Sequence, residues 1–552
     1  MKRREAIGSL YPDHVDAVLS RIDSILARYS RQTDSQPRTL SQRDCIMITY
    51  GDSFRDPQST PLDCLKRFAT EHLESLISAI HLLPCFPYTS DDGFSVQDYY
   101  QIDPELGDWD DIRRLGESYD LMFDAVVNHI SQRSEYFQRF LAGDPEYDDF
   151  FLVSDPHLDY SSVIRPRALP LLHPYEKNAE TVYVWTTFSA DQIDLNFASP
   201  KVFLRVLDVL LFYVSRGARY IRLDAIAFIW KELGTSCMHL PQAHRIIQLY
   251  RQLIEQIAPG VVIITETNVP HAENVSYFGD GTDEAHMVYN FTLPPLLMYS
   301  LHRQNVCKLT EWAGGLKLPS DEVCFFNFTA SHDGVGVRPL QGIVSDEAIN
   351  DLAQIAVDHG GFVSMRDNGD GTQSPYEINC NYFDFATPPE ADDDSRVQRF
   401  MLTQAVMLAM PGVPGIYYHS LIGSQNDRDA AIESGINRRI NRAKLQLTTL
   451  TSELNDPSTI RHRVATRYKQ LLAARQADAA FDPYGTATYD CQGPVFLIRR
   501  ASDEGTVWAV HNFSGDITTV AGLPDQMIDL VTGDAIEGPT LKLQPFEYRW
   551  LK

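Results

Sequence analysis

At 552 residues the chain exceeds what one compact core usually takes, so two or three domains are expected. Apolar residues at 44% and charged residues at 22% are ordinary for a globular protein and exclude wholesale disorder. A net charge of −26 with a pI near 5.0 excludes the broad basic face that nucleic acid or an anionic membrane needs, so neither is expected as a partner.

In chain order, residues 1–43 are expected to form an N-terminal helical extension. Val15, Val18, Leu19, Ile22, Ile25 and Leu26 recur at helical spacing, and the polar stretch SRQTDSQPRTLSQRD behind them has the composition of a linker. The opening MKRREAIGSLYPDHVD is basic but has no apolar run after it, so no signal peptide is expected. The greasiest segment, Val206 to Val214, is too short to span a bilayer. The eight cysteines include no CxxC pair and mostly sit in apolar runs, which predicts buried reduced thiols and a cytoplasmic protein.

Eight short apolar runs then alternate with helical patterns: residues 45–50, 78–83, 121–127, 218–224, 261–266, 287–292, 323–329 and 412–418. Such alternation predicts βα units around a parallel sheet, and eight of them predict an α/β fold, a closed (β/α)8 TIM barrel. Residues 44–130 are read as its first part and 199–480 as the remainder. The polar and aromatic segment 131–198, after the third strand, is read as an inserted subdomain, and 333–395 as a long loop after the seventh. From 481 to 552, alternating runs such as GTVWAVHNF between Gly/Asp turns predict a C-terminal antiparallel β domain.

Charged side chains gather where these strands end, the face on which barrel enzymes place their chemistry. The ends read Asp124-Ala-Val-Val-Asn128-His129, Arg222-Leu-Asp224, Glu266-Thr-Asn268 and Ser331-His332-Asp333. Cleaving a glycosidic bond needs one carboxyl group at the anomeric carbon and another to protonate the leaving oxygen. Arg222, two residues before Asp224, shares its face of the strand and would keep it ionised. Glu266 would be the protonated partner. Any one of these residues alone is more often a cap or a structural side chain, but four in order are not explained that way.

DAVVNH, GARYIRLDA, the Glu of ITETN, ASHD and QIDLNF together resemble the signatures of glycoside hydrolase family 13, the α-amylase superfamily. By that resemblance Asp224 is the nucleophile, Glu266 the acid/base and Asp333 the stabilising carboxylate, with Arg222, His129 and His332 lining the glucose site. LPCFPYTSDDGFSVQDY, IRPRALPLL and PGIYYHSLIGSQND resemble the sucrose phosphorylase branch, where Asp98 and Arg438 match the pair that closes the far side of glucose. The loop SMRDNGDGTQSPYEINCNYFD and the N-terminal extension are more similar to relatives acting on glucosylglycerate.

The expectation is therefore a retaining phosphorylase that takes a small α-glucoside and inorganic phosphate, with no organic cofactor and no metal. Glucosylglycerate is the first choice of donor and sucrose the second, with glucosylglycerol and sucrose 6′-phosphate behind them. A glucosidase or transglucosidase of the same superfamily is the next reading. Arg165 and Arg167 are expected at phosphate, and Arg366 and Tyr376 at the acceptor.

Overall fold

The computed structural model describes residues 3–30, 38–166, 169–368 and 371–552. Eight parallel strands close into a barrel: β1 (Ile46–Thr49), β2 (Ala79–Leu82), β3 (Asp120–Ala125), β4 (Ala218–Leu223), β5 (Val262–Thr265), β6 (Met287–Tyr289), β7 (Cys324–Phe328) and β8 (Val413–Tyr417). Seven lie within the apolar runs expected from sequence, and β3 starts one residue before its run. Parallel strands are covered on both faces, which is why these read as continuous apolar runs rather than alternating ones. Ile46–Thr49, Ala79–Leu82 and Cys324–Phe328 are buried at every position. Gly415 in β8 lies flat against the Phe326 ring of β7, where any Cβ would collide with it.

Helices follow the strands and form the outer layer, among them Pro61–Leu73, Pro200–Ser215, Pro241–Ile257 and Asp393–Ala409. Several start on a side-chain cap: the Ser199 hydroxyl accepts the Lys201 N–H, and Pro200 supplies the first helical residue. The N-terminal helices α1 (Arg3–Leu10) and α2 (Val15–Tyr29) pack on Pro200–Ser215 and Pro241–Ile257 through Ile22, Ile25 and Leu26.

After β3 the chain makes a helix (Glu135–Leu141), a hairpin (Leu172–Lys177 with Glu180–Trp185) and the strand Gln192–Asp194, which pairs with His129–Ser131 over the strand ends. The segment 333–395 differs from the expected loop. It carries a helix (Asp346–Asp358) and a three-stranded sheet of Val335–Gly336, Gln373–Asn379 and Phe362–Asp367. Beyond the barrel, β9 (Ala487–Gln492), β10 (Val495–Ser502), β11 (Gly505–Asn512) and β12 (Tyr548–Leu551) form an antiparallel sheet in that order.

All eight cysteines are free; six are buried, Cys491 is half-buried and Cys307 is exposed. Among the described residues no helix is long and apolar enough to cross a membrane.

Candidate active site

The barrel register sets up the site. Arg222 on β4 stands level with Asp124 on β3 and Ile264 on β5, so its guanidinium emerges between two neighbouring strands. Nη1 donates to Asp124 Oδ1 at 2.5 Å and to Asp224 Oδ1 at 2.8 Å, and Nη2 stands 3.8 Å from Glu266 Oε2. Asp124 in turn meets His81 Nε2 of β2 at 3.0 Å. His81, Asp124 and Arg222 are all buried. They form a chain of hydrogen bonds that fixes the Asp224 carboxylate, since Asp124 is held by His81 and Arg222, and Arg222 by Asp124 and Asp224.

Just past β4, Ala225 has φ 50°, a left-handed conformation unusual for a residue with a Cβ. That turn aims its N–H at Glu266 Oε2, which accepts it at 3.1 Å. Burial raises the Asp224 carboxyl well above its usual range; Arg222 opposes this, and Glu266, Asp124 and Asp333 raise it again. Burial likewise raises Glu266, opposed by Arg222 and reinforced by Asp333. Two such carboxyls titrate together. Arg222 stands 2.8 Å from Asp224 and 3.8 Å from Glu266, which favours the ionised form at Asp224 over that at Glu266.

Asp333 behaves oppositely. Burial alone would raise it, but Arg438 at 2.5 Å, His332 and Arg442 outweigh burial and hold it well below the usual carboxylate range. Arg438 also grips Glu377 through two hydrogen bonds, at 3.0 and 2.6 Å. His332 stacks on Phe94 with ring centroids 4.6 Å apart, and burial drives its pKa down to about 3. His129 is likewise lowered by burial, and its Nε2 meets the Phe94 carbonyl at 2.9 Å.

Asp224, Glu266, Asp333, His129, His332, Arg438 and Tyr376 line one cleft, with Arg222 beneath its floor. Three other expectations differ. Asp98 does not line the cleft: its carboxylate caps the Tyr100 N–H at 2.7 Å and holds the Gln101 amide at 3.0 Å. Asp91 lines the cleft instead, carried there by left-handed backbone at Asp91 and Asp92 (φ 53° and 48°). Arg165 is exposed and donates to the Leu169 carbonyl at 3.0 Å. Arg366 lines an adjoining cavity, where Nε donates to Ser374 Oγ at 3.0 Å. Arg167 lies outside the described residues.

His81, Asp91 and Arg338 were not anticipated from sequence: His81 sits inside an apolar run and gives no sign of its partner, Asp91 depends on a backbone turn, and Arg338 lies in a segment expected to be loop. Asp124 was named at its strand end, but without its place behind Arg222. Beside the site, Lys231 Nζ pairs with Asp194 at 2.7 Å and donates to Asn128 Oδ1 at 2.9 Å, so a cation of the chain itself neutralises that corner. Among the described residues no cluster of three or more His, Cys, Asp or Glu side chains is arranged to hold a metal ion.

The α-amylase catalytic domain matches residues 62–318. Along nearly its whole length the chain is 44% identical to the glucosylglycerate phosphorylase of Escherichia coli K12, over 99% of this chain and 98% of that protein. The chain belongs to glycoside hydrolase family 13, the α-amylase superfamily. It is also 49% identical to the glucosylglycerate phosphorylase of Spirochaeta thermophila, over 85% of this chain and 79% of that one. Among solved structures, the sucrose 6F-phosphate phosphorylase from Thermoanaerobacter thermosaccharolyticum superposes with a TM-score of 0.76 at 25% identity, covering 90% of this chain and 98% of that one.

Proposed function

We propose that the chain is a retaining α-glucoside phosphorylase that converts glucosylglycerate and phosphate into α-D-glucose 1-phosphate and D-glycerate. The observation that carries the mechanism is the pairing of Asp224 with Arg222 beside a Glu266 whose carboxyl is raised by burial. The choice of substrate rests on the end-to-end likeness to relatives named for that reaction.

In the first displacement, Asp224 attacks the anomeric carbon while Glu266 gives its proton to the departing glycerate oxygen. This leaves a β-glucosyl ester on Asp224 and an ionised Glu266. In the second, phosphate attacks the anomeric carbon from the face opposite Asp224, Glu266 takes up the phosphate proton, and the C1–O bond to Asp224 breaks. Two inversions give net retention. Asp333, held ionised by Arg438, faces the positive charge that develops on the sugar. His129 and His332, kept neutral by burial, would hydrogen-bond glucose hydroxyls, and Asp91 rather than Asp98 would close the far side with Arg438.

Phosphate enters as co-substrate, and no organic cofactor takes part in either displacement. Arg167, next in sequence to the cleft-lining Pro166, is kept as a phosphate contact. The eight free cysteines suit a reducing compartment, and the cytoplasm is the proposed location.

The test is the reverse reaction: α-glucose 1-phosphate with D-glycerate, fructose, fructose 6-phosphate or glycerol, following phosphate release. Release with glycerate alone is expected. Release with fructose in place of glycerate would make the chain a sucrose phosphorylase, and free glucose with every acceptor would make it a hydrolase.

A further inference from the structure

Every other arginine at the floor and walls of the cleft, among the described residues, already faces a carboxylate. Arg222 is held by Asp124 and Asp224, and Arg438 by Glu377 and Asp333. Arg338 lines the same cleft with no carboxylate in ion-pair range, and its buried Nε has no hydrogen-bond partner. A half-buried guanidinium left this way is an anion receptor waiting for its ligand, because an unpaired buried charge is costly.

Its place in the fold says which end of the substrate it meets. The strand Val335–Gly336 pairs with Gln373–Asn379, and the Val337 N–H donates to the Tyr376 carbonyl at 3.1 Å, which sets Arg338 beside Tyr376. Gly336 lies flat against the Asn268 carboxamide, where any Cβ would collide with it. Asn268 is two residues past Glu266, the group that protonates the leaving oxygen, and its buried Oδ1 also has no partner. Arg338 and Asn268 therefore stand on the leaving-group side, one presenting a cationic donor and the other a bare acceptor. In the proposed function, Asp91, His332, Asp333 and Arg438 of the same cleft take the glucose end.

We infer that Arg338 is the residue that reads the carboxylate of the acceptor, with the Asn268 carboxamide oxygen accepting its hydroxyl. This deepens the proposed function and rests on it. A three-carbon hydroxy acid satisfies both groups at once: its carboxylate meets the guanidinium, and its free hydroxyl donates to Asn268. Fructose or glycerol supplies hydroxyls alone and would leave Arg338 buried without an anion. Arg366, on the far wall of the adjoining cavity that Arg338 also lines, adds positive potential behind it.

The experiment uses the full-length enzyme with Arg338→Ala and Arg338→Lys. Glucosyl transfer from α-glucose 1-phosphate is measured to D-glycerate and to water, together with the KM for phosphate in phosphorolysis. The readout is the ratio of glycerate transfer to hydrolysis, which cancels any general loss of folded enzyme. Losing a charge-assisted hydrogen bond lowers that ratio by about 10- to 100-fold in the alanine variant. Lysine, which keeps the charge but not the fork, recovers part of it. An unchanged ratio overturns the inference, whether absolute rates fall or not, since a structural role would lower both reactions alike. A raised KM for phosphate with an intact ratio also overturns it, by assigning Arg338 to phosphate. Wild-type enzyme that transfers nothing to glycerate sinks the proposed function itself, and the inference with it.

Discussion

Asp124→Asn tests whether the site is held from behind. Asp124 is wholly buried, does not itself line the cleft, and fixes Arg222 at 2.5 Å while His81 holds its other oxygen at 3.0 Å. The substitution keeps the volume but removes the charge and turns one oxygen into a donor facing the guanidinium. A hydrogen bond between charged groups is worth roughly 1.5–3 kcal/mol. If that much of the alignment of Asp224 is lost in the transition state, kcat falls about 10- to 100-fold. Asp124 also raises the carboxyls of Asp224 and Glu266. Without it Arg222 acts on both more strongly, Glu266 loses its proton at lower pH, and the basic limb of kcat/KM moves toward acid. Phosphorolysis initial rates across pH, taken below the variant's own melting transition, read both effects. Wild-type kcat, or a basic limb moved to higher pH, would refute the reasoning.

Glu266→Gln removes the proton that the leaving group needs, and kcat for glucosylglycerate should fall by about 10²- to 10⁴-fold. An α-glucosyl donor whose leaving group needs no proton should recover the first step, and equal losses with both donors would contradict the assignment. His332 and His511 are buried and His302 is half-buried, all with pKa values lowered to about 3, mainly by burial. Each takes up a proton on unfolding below about pH 6.5, so stability is full above that pH and declines as pH falls toward 3. Thermal melts should show the decline, and His511→Gln should make it shallower; a flat profile would count against it. Arg475 is wholly buried and donates to the carbonyls of Leu408, Gln42, Asp44, Gly412 and Phe481, which tie the chain before β1 to that around β8. Arg475→Met strands those carbonyls and should destabilise by about 3 kcal/mol or more in urea unfolding, with activity per folded molecule retained.

The barrel was legible because its strands are buried on both faces and so stand out as short apolar runs between helical patterns. The three carboxylates that line the cleft, Asp224, Glu266 and Asp333, were legible because each stands at or just past the end of such a run. What escaped depends on contacts between distant residues or on backbone shape. His81 inside SAIHLL reads as one polar residue in a core strand, and only the register of β2 with β3 brings it beside Asp124. Asp98 and Asp91 share one loop, and the turn that puts Asp91 in the cleft comes from left-handed backbone at two non-glycine residues, which spacing cannot foresee. The segment 333–395 reads as loop from its Gly, Asp and Asn content. Several of those residues lie within regular elements, and DEAINDLAQIAVD, with three Asp and an Asn of its own, is an amphipathic helix. Arg338 was hidden for the same reason.

The most direct measurement is an NMR time course of glucosylglycerate with phosphate and the purified protein. The account predicts that α-glucose 1-phosphate and glycerate appear together in equal amounts from the first turnovers. Free glucose in place of the phosphate ester, or the β-anomer of the ester, would contradict it.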